Sequence, residues 1–259
     1  LSIPLNSEGV TNAVERIARR TPLLRAPELS DQLGRPVWLK AECLQVTGSF
    51  KVRGAAVRLS ALNDQERMRG VVSCSSGNHG RAVAYVAQKL GIPASVCVPE
   101  WVDPVKLEGI KRDGAEAVLV GSTFDEAESH AFELSERTGR TYISAYDDPW
   151  VIAGQGTIAL EILGQLGESP AAILSPLSGG GLLGGIASVF AERTGDERCR
   201  TVGVSAEKAA VMLASVKAGH PVELAEEKTL ASALARGIGL NNQHSFKLIK
   251  DLVHEHVTV

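Results

Sequence analysis

Lys51 lies in the stretch Thr47-Gly48-Ser49-Phe50-Lys51-Val52-Arg53-Gly54-Ala55, where Ser49 can cap a helix and leave the lysine in its first turn. The positive end of a helix disfavours a cation. It therefore favours the neutral amine, which is the form that condenses with a carbonyl to a Schiff base. A solvated lysine that tolerates the field fits this stretch equally well. A second cluster, Ser73-Cys74-Ser75-Ser76-Gly77-Asn78-His79-Gly80, gathers hydroxyls, an amide, an imidazole and two glycines at a strand-to-helix turn. Such a turn can bind a carboxylate through side-chain and backbone donors. It can also be a helix start capped by Asn78, with His79 in solvent. The third cluster is Ser178-Gly179-Gly180-Gly181-Leu182-Leu183-Gly184-Gly185. Three consecutive glycines leave no Cβ in the way of a ligand. Their amides, with a helix dipole behind them, suit a phosphate group.

Gly179, Gly181 and Gly184 also spell G-x-G-x-x-G, and Glu207 follows the next strand, near where an acidic residue would hold a ribose. A dinucleotide-dependent oxidoreductase, using NAD(P) or FAD, is thus an alternative. That fingerprint stands late in the chain and leaves the first two clusters unexplained.

The elements that must carry these clusters alternate. Strands are expected at Val37–Glu42, Gly70–Ser75, Ala94–Val98, Ala115–Val120, Thr141–Ser144, Ala171–Pro176 and Arg200–Ser205. Helices are expected at Ser49–Leu62, Asn78–Leu90, Pro104–Arg112, Thr123–Thr138, Trp150–Leu166, Leu182–Thr194 and Glu207–Ala218. Continuous aliphatic strands separated by helices predict parallel sheets covered on both faces, an α/β architecture. All three clusters then fall where strands turn into helices, at the carboxyl ends where such sheets bind ligands.

Composition excludes several classes of protein. The chain has 259 residues, 44% of them hydrophobic and 22% charged, enough apolar material for a large buried core. A net charge of −3 argues against a nucleic-acid or anionic-membrane partner recognised by charge. No apolar run approaches the ~20 residues that cross a bilayer. The first twenty residues lack the order of a signal peptide, so the cytoplasm is the expected compartment. Cys43, Cys74, Cys97 and Cys199 are widely spaced and predict neither a disulfide framework nor a zinc site. The remaining histidines, His130, His220, His244, His254 and His256, show no metal-ligand spacing.

Taken together, the three clusters resemble the serine/threonine dehydratase family of pyridoxal-phosphate enzymes, fold type II. The family's S-F-K-x-R-G-A stands at Ser49 to Ala55, its S-S-G-N-H-G at Ser75 to Gly80 and its glycine phosphate loop at Ser178 to Gly181. Arg20-Thr21-Pro22-Leu23, Gly91-Ile92-Pro93 and Val151-Ile152-Ala153-Gly154-Gln155-Gly156-Thr157 match as well. The resemblance runs from about Val14 to the C-terminus and implies pyridoxal 5'-phosphate as cofactor. Lys51 would hold it as a Schiff base and move the α-proton, with Phe50 flanking the ring and Asn78 bonding the ring hydroxyl. Ser75, Ser76, Asn78 and His79 would meet the substrate, and Ser76 is also the opposite-face base of related serine racemases. Ser178, Gly179, Gly180, Gly181 and Leu182 would cradle the phosphate, Ser178 replacing the first glycine of the commoner four-glycine loop. The implied activity is an ammonia-lyase that removes water from a small hydroxy amino acid such as threonine or serine. A racemase or β-replacement enzyme on the same scaffold is the alternative.

The resemblance also implies two open parallel-sheet domains with the cofactor between them: residues 1–62 with 148–259, and an inserted domain over 63–147. Relatives are commonly homodimers. The family usually continues several dozen residues beyond the equivalent of Val259, where the residue facing the pyridine nitrogen is expected. Metal-dependent relatives carry an acid directly after the strand equivalent to Arg200–Ser205. Here that stretch reads Ser205-Ala206-Glu207-Lys208, so no metal site is expected. Val202-Gly203-Val204-Ser205, Thr229-Leu230-Ala231 and Gly237-Ile238-Gly239-Leu240-Asn241 look most like the hydroxyectoine-utilisation dehydratases. Arg236 lies in a loop that approaches the substrate in relatives.

Overall fold

Val71–Cys74 and Ala94–Val98 are buried at every position, which is why they read as unbroken runs rather than alternating ones. The computed structural model of the chain describes residues 3–5, 8–194, 199–225, 227, 229–234 and 237–259. In chain order the elements are α1 (Glu8–Ile17), β1 (Leu23–Arg25), α2 (Pro27–Leu33), β2 (Trp38–Lys40), α3 (Lys51–Ser60), α4 (Asp64–Arg69), β3 (Val71–Cys74), α5 (Asn78–Leu90), β4 (Ala94–Val98) and α6 (Pro104–Arg112). There follow β5 (Glu116–Leu119), α7 (Phe124–Thr138), β6 (Thr141–Tyr142), α8 (Pro149–Leu166), β7 (Ala172–Pro176), α9 (Gly181–Thr194), β8 (Arg200–Ser205), α10 (Val211–Ala218), α11 (Ser245–Leu252) and β9 (Glu255–Thr258).

One sheet has the order β5-β4-β3-β6 and another β7-β8-β9, and every pairing in both is parallel. In the first sheet the chain runs outward from β3 through β4 to β5, then returns to the other side of β3 for β6. The order therefore reverses at β3. The carboxyl end of a strand at such a reversal opens a crevice suited to a ligand. The second cluster, Ser75 to Gly80, follows β3 directly.

Helix α3 joins two cores. Val52, Ala55, Ala56 and Leu59 pack with α5, β3 and β4, while Val57 packs with α1, α8 and α9. Leu59 is wholly buried, so truncating it to alanine would cost about 2–5 kcal/mol. Glycines bring α3 hard against α8. A Cβ on Gly54 would lie 2.8 Å from the Val151 carbonyl oxygen, and one on Gly154 would lie 2.5 Å from that of Arg53. Helix ends carry the expected signals. Asn63 with Glu66 and Thr123 with Glu126 form reciprocal caps, and Asp148 caps α8 ahead of Pro149.

Two expectations are corrected. The strand predicted at Val37–Glu42 is only Trp38–Lys40, and it pairs antiparallel with β1 in a separate hairpin rather than joining a parallel sheet. Trp38 and Leu39 are both exposed and Lys40 turns inward to Glu161, so the segment lacks the two buried faces of a parallel strand. The helix predicted over Glu207–Ala218 is a short 3-10 turn at Glu207–Ala209 and then α10. Ala210 between them has φ −88° and ψ 43°, outside helical geometry. The helices α1, α2, α4 and α11 and the strands β1 and β9 were not foreseen.

Candidate active site

Lys51 opens α3. The residue in the cap position is Phe50, whose side chain makes no cap bond. Ser49, one residue further out, accepts from the Lys51 N–H only at 3.4 Å. The Lys51 ammonium nitrogen lies 5.3 Å from the centre of the Phe50 ring and donates to the Ala145 carbonyl at 2.6 Å. Ala145 follows β6 by three residues, so the amine sits at the carboxyl end of the strand beside β3.

The second cluster meets the same segment. Ser73 Oγ donates to the Ile143 carbonyl at 2.9 Å, and His79 Nε2 lies 3.1 Å from that oxygen. The His79 ring is thus turned into the protein, with 3% of the residue exposed, so any contact it makes with a ligand would come from its backbone N–H. Asn78 is the first residue of α5 and exposed, and Gly77 rather than Asn78 stands at the cap. Ser75 and Ser76 are half-buried in the turn, and Ser75 Oγ accepts from the Gly77 N–H at 3.3 Å. Gly80 is required here, because a Cβ on it would lie 2.2 Å from the Ser75 carbonyl oxygen.

The glycine cluster reaches the segment from the other sheet. A Cβ on Gly179 would lie 2.4 Å from Tyr146 Cγ, and one on Gly181 would lie 2.7 Å from the Tyr146 carbonyl oxygen. Gly180 has φ +83°, and its Cβ would lie 2.8 Å from Met212 Cε. A side chain at any of these three positions would collide with Tyr146 or Met212, so the loop can take this course only as glycine. The Gly184 N–H bonds the Gly180 carbonyl at 2.8 Å. The N–H groups before it open the helix and have no partner within it. Leu182 packs its side chain on the core that Phe50 also touches, so only its backbone is turned to the cradle. Ser178 is half-buried at the mouth. Gly185 serves helix packing, its Cβ position being 2.3 Å from the Ile152 carbonyl oxygen.

One dipeptide therefore spans the site: Ala145 accepts from the Lys51 amine, and Tyr146 lies on the glycine loop. Neither residue stood out in the sequence. The only signal nearby was Asp147-Asp148-Pro149, which marks a helix start and not a site. Asp148 does cap α8 and also accepts from Arg58 Nε at 2.9 Å. Asp147 does not belong to that cap.

Behind Lys51 lies a buried charge cluster. Arg53, wholly buried, donates from Nε and Nη2 to Glu42 at 2.8 Å each, and from Nη1 and Nη2 to Glu161 at 2.6 and 3.0 Å. Lys40 reaches Glu161 at 2.5 Å. Burial pushes the Glu161 carboxyl up, but the bonds and charges of Arg53 and Lys40 outweigh it and hold the group below its ordinary value. Burial dominates at Lys40 and pulls its pKa down. For Arg53, burial opposes the charge and the two carboxylates overcome it, so its pKa is raised.

Glu207 is exposed, and among the described residues no group of three His, Cys, Asp or Glu side chains could hold a metal ion. Arg236 lies outside the described residues. No described helix is long and apolar enough to cross a membrane.

The sequence profile of a family described as "Pyridoxal-phosphate dependent enzyme" matches residues 14–259. An L-threonine ammonia-lyase of Thermotoga maritima is 37% identical over 246 residues. The match covers 95% of this chain and 60% of that protein, so the chain spans about three fifths of this relative's length. Threonine deaminase isoform 2 of Solanum lycopersicum, in its processed form, superposes with a TM-score of 0.89 at 36% identity, over 98% of this chain and 75% of that one. Maize serine racemase superposes with a TM-score of 0.88 at 31% identity, over 97% and 76%.

Proposed function

The chain belongs to the pyridoxal-phosphate dependent enzymes, and from that premise we propose that it is an ammonia-lyase acting on a small hydroxy amino acid of the threonine or serine class. The observation that carries the reading is the Ala145–Tyr146 dipeptide, with a lysine amine at one end and a glycine cradle at the other. A group with an aldehyde and a phosphate needs those two ends. The residues fit it. The loop carries no Cβ that could screen its backbone, the first N–H groups of α9 are free of partners within the helix, and Phe50 offers a ring beside the amine.

In this reading Gly179, Gly180, Gly181 and the backbone of Leu182 hold the phosphate, with Ser178 at the edge. Lys51 holds the aldehyde carbon, Phe50 covers the ring and Asn78 bonds its hydroxyl. When bound, pyridoxal 5'-phosphate withdraws electrons from the carbon that loses its proton. Lys51 has a four-carbon stem on a fixed helix start. Once the substrate's amine takes its place on the aldehyde carbon, the freed Lys51 amine would be the base within reach of the α-proton. Ser75, Ser76 and the backbone N–H groups of Asn78 and His79 orient the substrate carboxylate. The β-hydroxyl would leave with a proton as water, and the Lys51 amine, by retaking the aldehyde carbon, would release the unsaturated amine, which hydrolyses in water to a keto acid and ammonia. Ser76, half-buried in the same turn, is the candidate for moving a proton on the opposite face, which would make racemisation a side activity of the site.

Relatives support the substrate class through their names, an L-threonine ammonia-lyase and a threonine deaminase. A hydroxyectoine-derived compound is the narrower proposal, resting on residues 202–205, 229–231 and 237–241. A homodimer and a cytoplasmic setting are proposed on family resemblance. The test is a screen of the purified chain with threonine, serine and hydroxyectoine derivatives, following keto acid, ammonia and chirality, with Lys51→Ala alongside. Keto acid from at least one substrate, lost in Lys51→Ala, is expected. Inversion without keto acid overturns the lyase reading, and keto acid release that survives Lys51→Ala overturns the role of the amine.

A further inference from the structure

We propose that Asp147 is a positioning residue for the cofactor seat, tying the segment that meets the Lys51 amine to the helix that backs the glycine loop. This deepens the reading above and rests on it.

The Asp147 carboxylate caps a helix that begins almost a hundred residues away. Oδ2 accepts from the Gln243 N–H at 2.8 Å, and Oδ1 accepts from the N–H groups of His244 and Ser245 at 2.8 and 2.9 Å. His244, in the cap position of α11, makes no side-chain bond there; Asn242 Oδ1 takes the Phe246 N–H at 2.9 Å, and the N–H groups of Gln243, His244 and Ser245 fall to Asp147. The first N–H groups of any helix need an outside acceptor, and an anion satisfies the dipole as well. Asp147 supplies both from across the fold.

What α11 supports is the cradle. Ser245 is wholly buried, and its Cβ would lie 3.3 Å from a Cβ on Gly180. Ile249 Cγ1 would lie 3.0 Å from it, and Leu248 is placed the same way against Gly184. The first turn of α11 thus sets where Gly180 can lie. On the other side of Asp147, Tyr146 covers Gly179 and Gly181, and Ala145 accepts from Lys51. The chain of contacts closes on itself: amine, Ala145–Tyr146, Asp147, α11, glycine loop and back to Tyr146. Among the described residues, the Asp147 carboxylate is the charged group that links the second and fourth of these. Without it, α11 keeps its local Asn242 cap but loses its charged tie to the segment beside Lys51, and the spacing between amine and cradle is no longer fixed.

An ordinary stabilising cap makes a control. Asp103 accepts from the Val105 and Lys106 N–H groups at 2.8 and 3.3 Å at the start of α6, in the other sheet's layer and away from the glycine loop. Asp147→Ala, Asp147→Asn and Asp103→Ala are made in the full chain. Each is titrated with pyridoxal 5'-phosphate by absorbance, and borohydride-trapped cofactor on Lys51 is counted by mass spectrometry. Loss of a cap lowers the melting temperature of both alanine variants by a few degrees. For the cofactor dissociation constant, Asp103→Ala is expected within about twofold of the parent and Asp147→Ala weaker by about tenfold. Asp147→Asn should be weaker by about threefold, since its remaining oxygen can accept two of the three bonds while its amide opposes the third. Trapping at Lys51 should fall in the same order. Asp147→Ala binding within about twofold of the parent, or Asp103→Ala losing as much as Asp147→Ala, overturns the proposal. Should Asp147→Ala fail to fold, Asp147→Asn decides, and parent-like binding by it is the overturning result. A parent chain that takes up no cofactor would sink the functional reading and this proposal together, whereas parent-like binding by the variants sinks this proposal alone.

Discussion

Replacing Glu161 by glutamine removes the anion that two buried cations share. Glu161 accepts from Arg53 at 2.6 and 3.0 Å and from Lys40 at 2.5 Å, and Glu42 takes the rest of the guanidinium at 2.8 Å. Two anions thus balance two cations, with side-chain exposures of only 0% for Arg53, 8% for Lys40 and 16% for Glu161. Glu161→Gln leaves Arg53 to Glu42 and leaves Lys40 with the neutral Thr21 carbonyl and Gln165 amide oxygens but no anion. Stranding a buried charge costs about 3–5 kcal/mol. For a chain of this size that lowers the melting temperature by roughly 6–20 °C. Lys40→Met alone leaves Arg53 facing two carboxylates, but both keep their guanidinium bonds and the burial penalty on the ammonium disappears, so it should cost less. The double variant keeps a neutral Arg53–Glu42 pair and strands nothing. It should be more stable than Glu161→Gln by about 1–3 kcal/mol, although it has lost more groups. Urea and thermal unfolding of the four proteins near neutral pH measure the cycle. Single-variant costs that add to within about 0.5 kcal/mol in the double would refute the shared-anion account. The cluster matters for the site because Arg53 stands two residues beyond Lys51 and pins the first turn of α3 to α8.

Three further outcomes follow from single contacts. Gly181→Ala puts a methyl 2.7 Å from the Tyr146 carbonyl oxygen and 2.9 Å from its Cα, backbone that cannot swing aside. Cofactor uptake measured by titration should weaken by about tenfold or more, and an unchanged affinity would contradict the cradle. The Glu161 carboxyl is held below its ordinary value of 4.5 in the folded state, so the unfolded chain binds more protons in the window beneath that value. Its contribution is present above the unfolded pKa and is lost as pH falls through the folded one. The gap in melting temperature between parent and Glu161→Gln should therefore narrow on acidification below 4.5. Burial first, and then Glu116, pushes the Cys97 thiol up to about 11, whereas Cys43 is exposed. A thiol reagent at mildly alkaline pH should label Cys43 rapidly in the folded protein and leave Cys97 until unfolding, and Cys43→Ser should abolish the fast phase.

The sequence made legible what depends on local rules. β4, α5 and α6 stand where their runs and caps put them, and β3 and β4 are identifiable because burial on two faces leaves no polar alternation, whereas the half-exposed β9 carries no such run. The three clusters are identifiable because glycines and short polar residues are costly unless something requires them. The hairpin of β1 and β2 was obscured because Lys40 is a charged residue that points inward, which only the distant Glu161 makes tolerable. The direction of the His79 ring is hidden for the converse reason. An imidazole beside two serines suggests a ligand contact, but the oxygen it meets belongs to Ile143, 64 residues on. Asp147 is the extreme case. Next to Asp148 and Pro149 it reads as a spare cap residue, and its three partners lie 96 to 98 residues further along. A residue whose partners are that distant has no period, spacing or neighbour that distinguishes it from a solvated aspartate. Only the fold, by bringing α11 to the end of β6, gives its carboxylate something to hold.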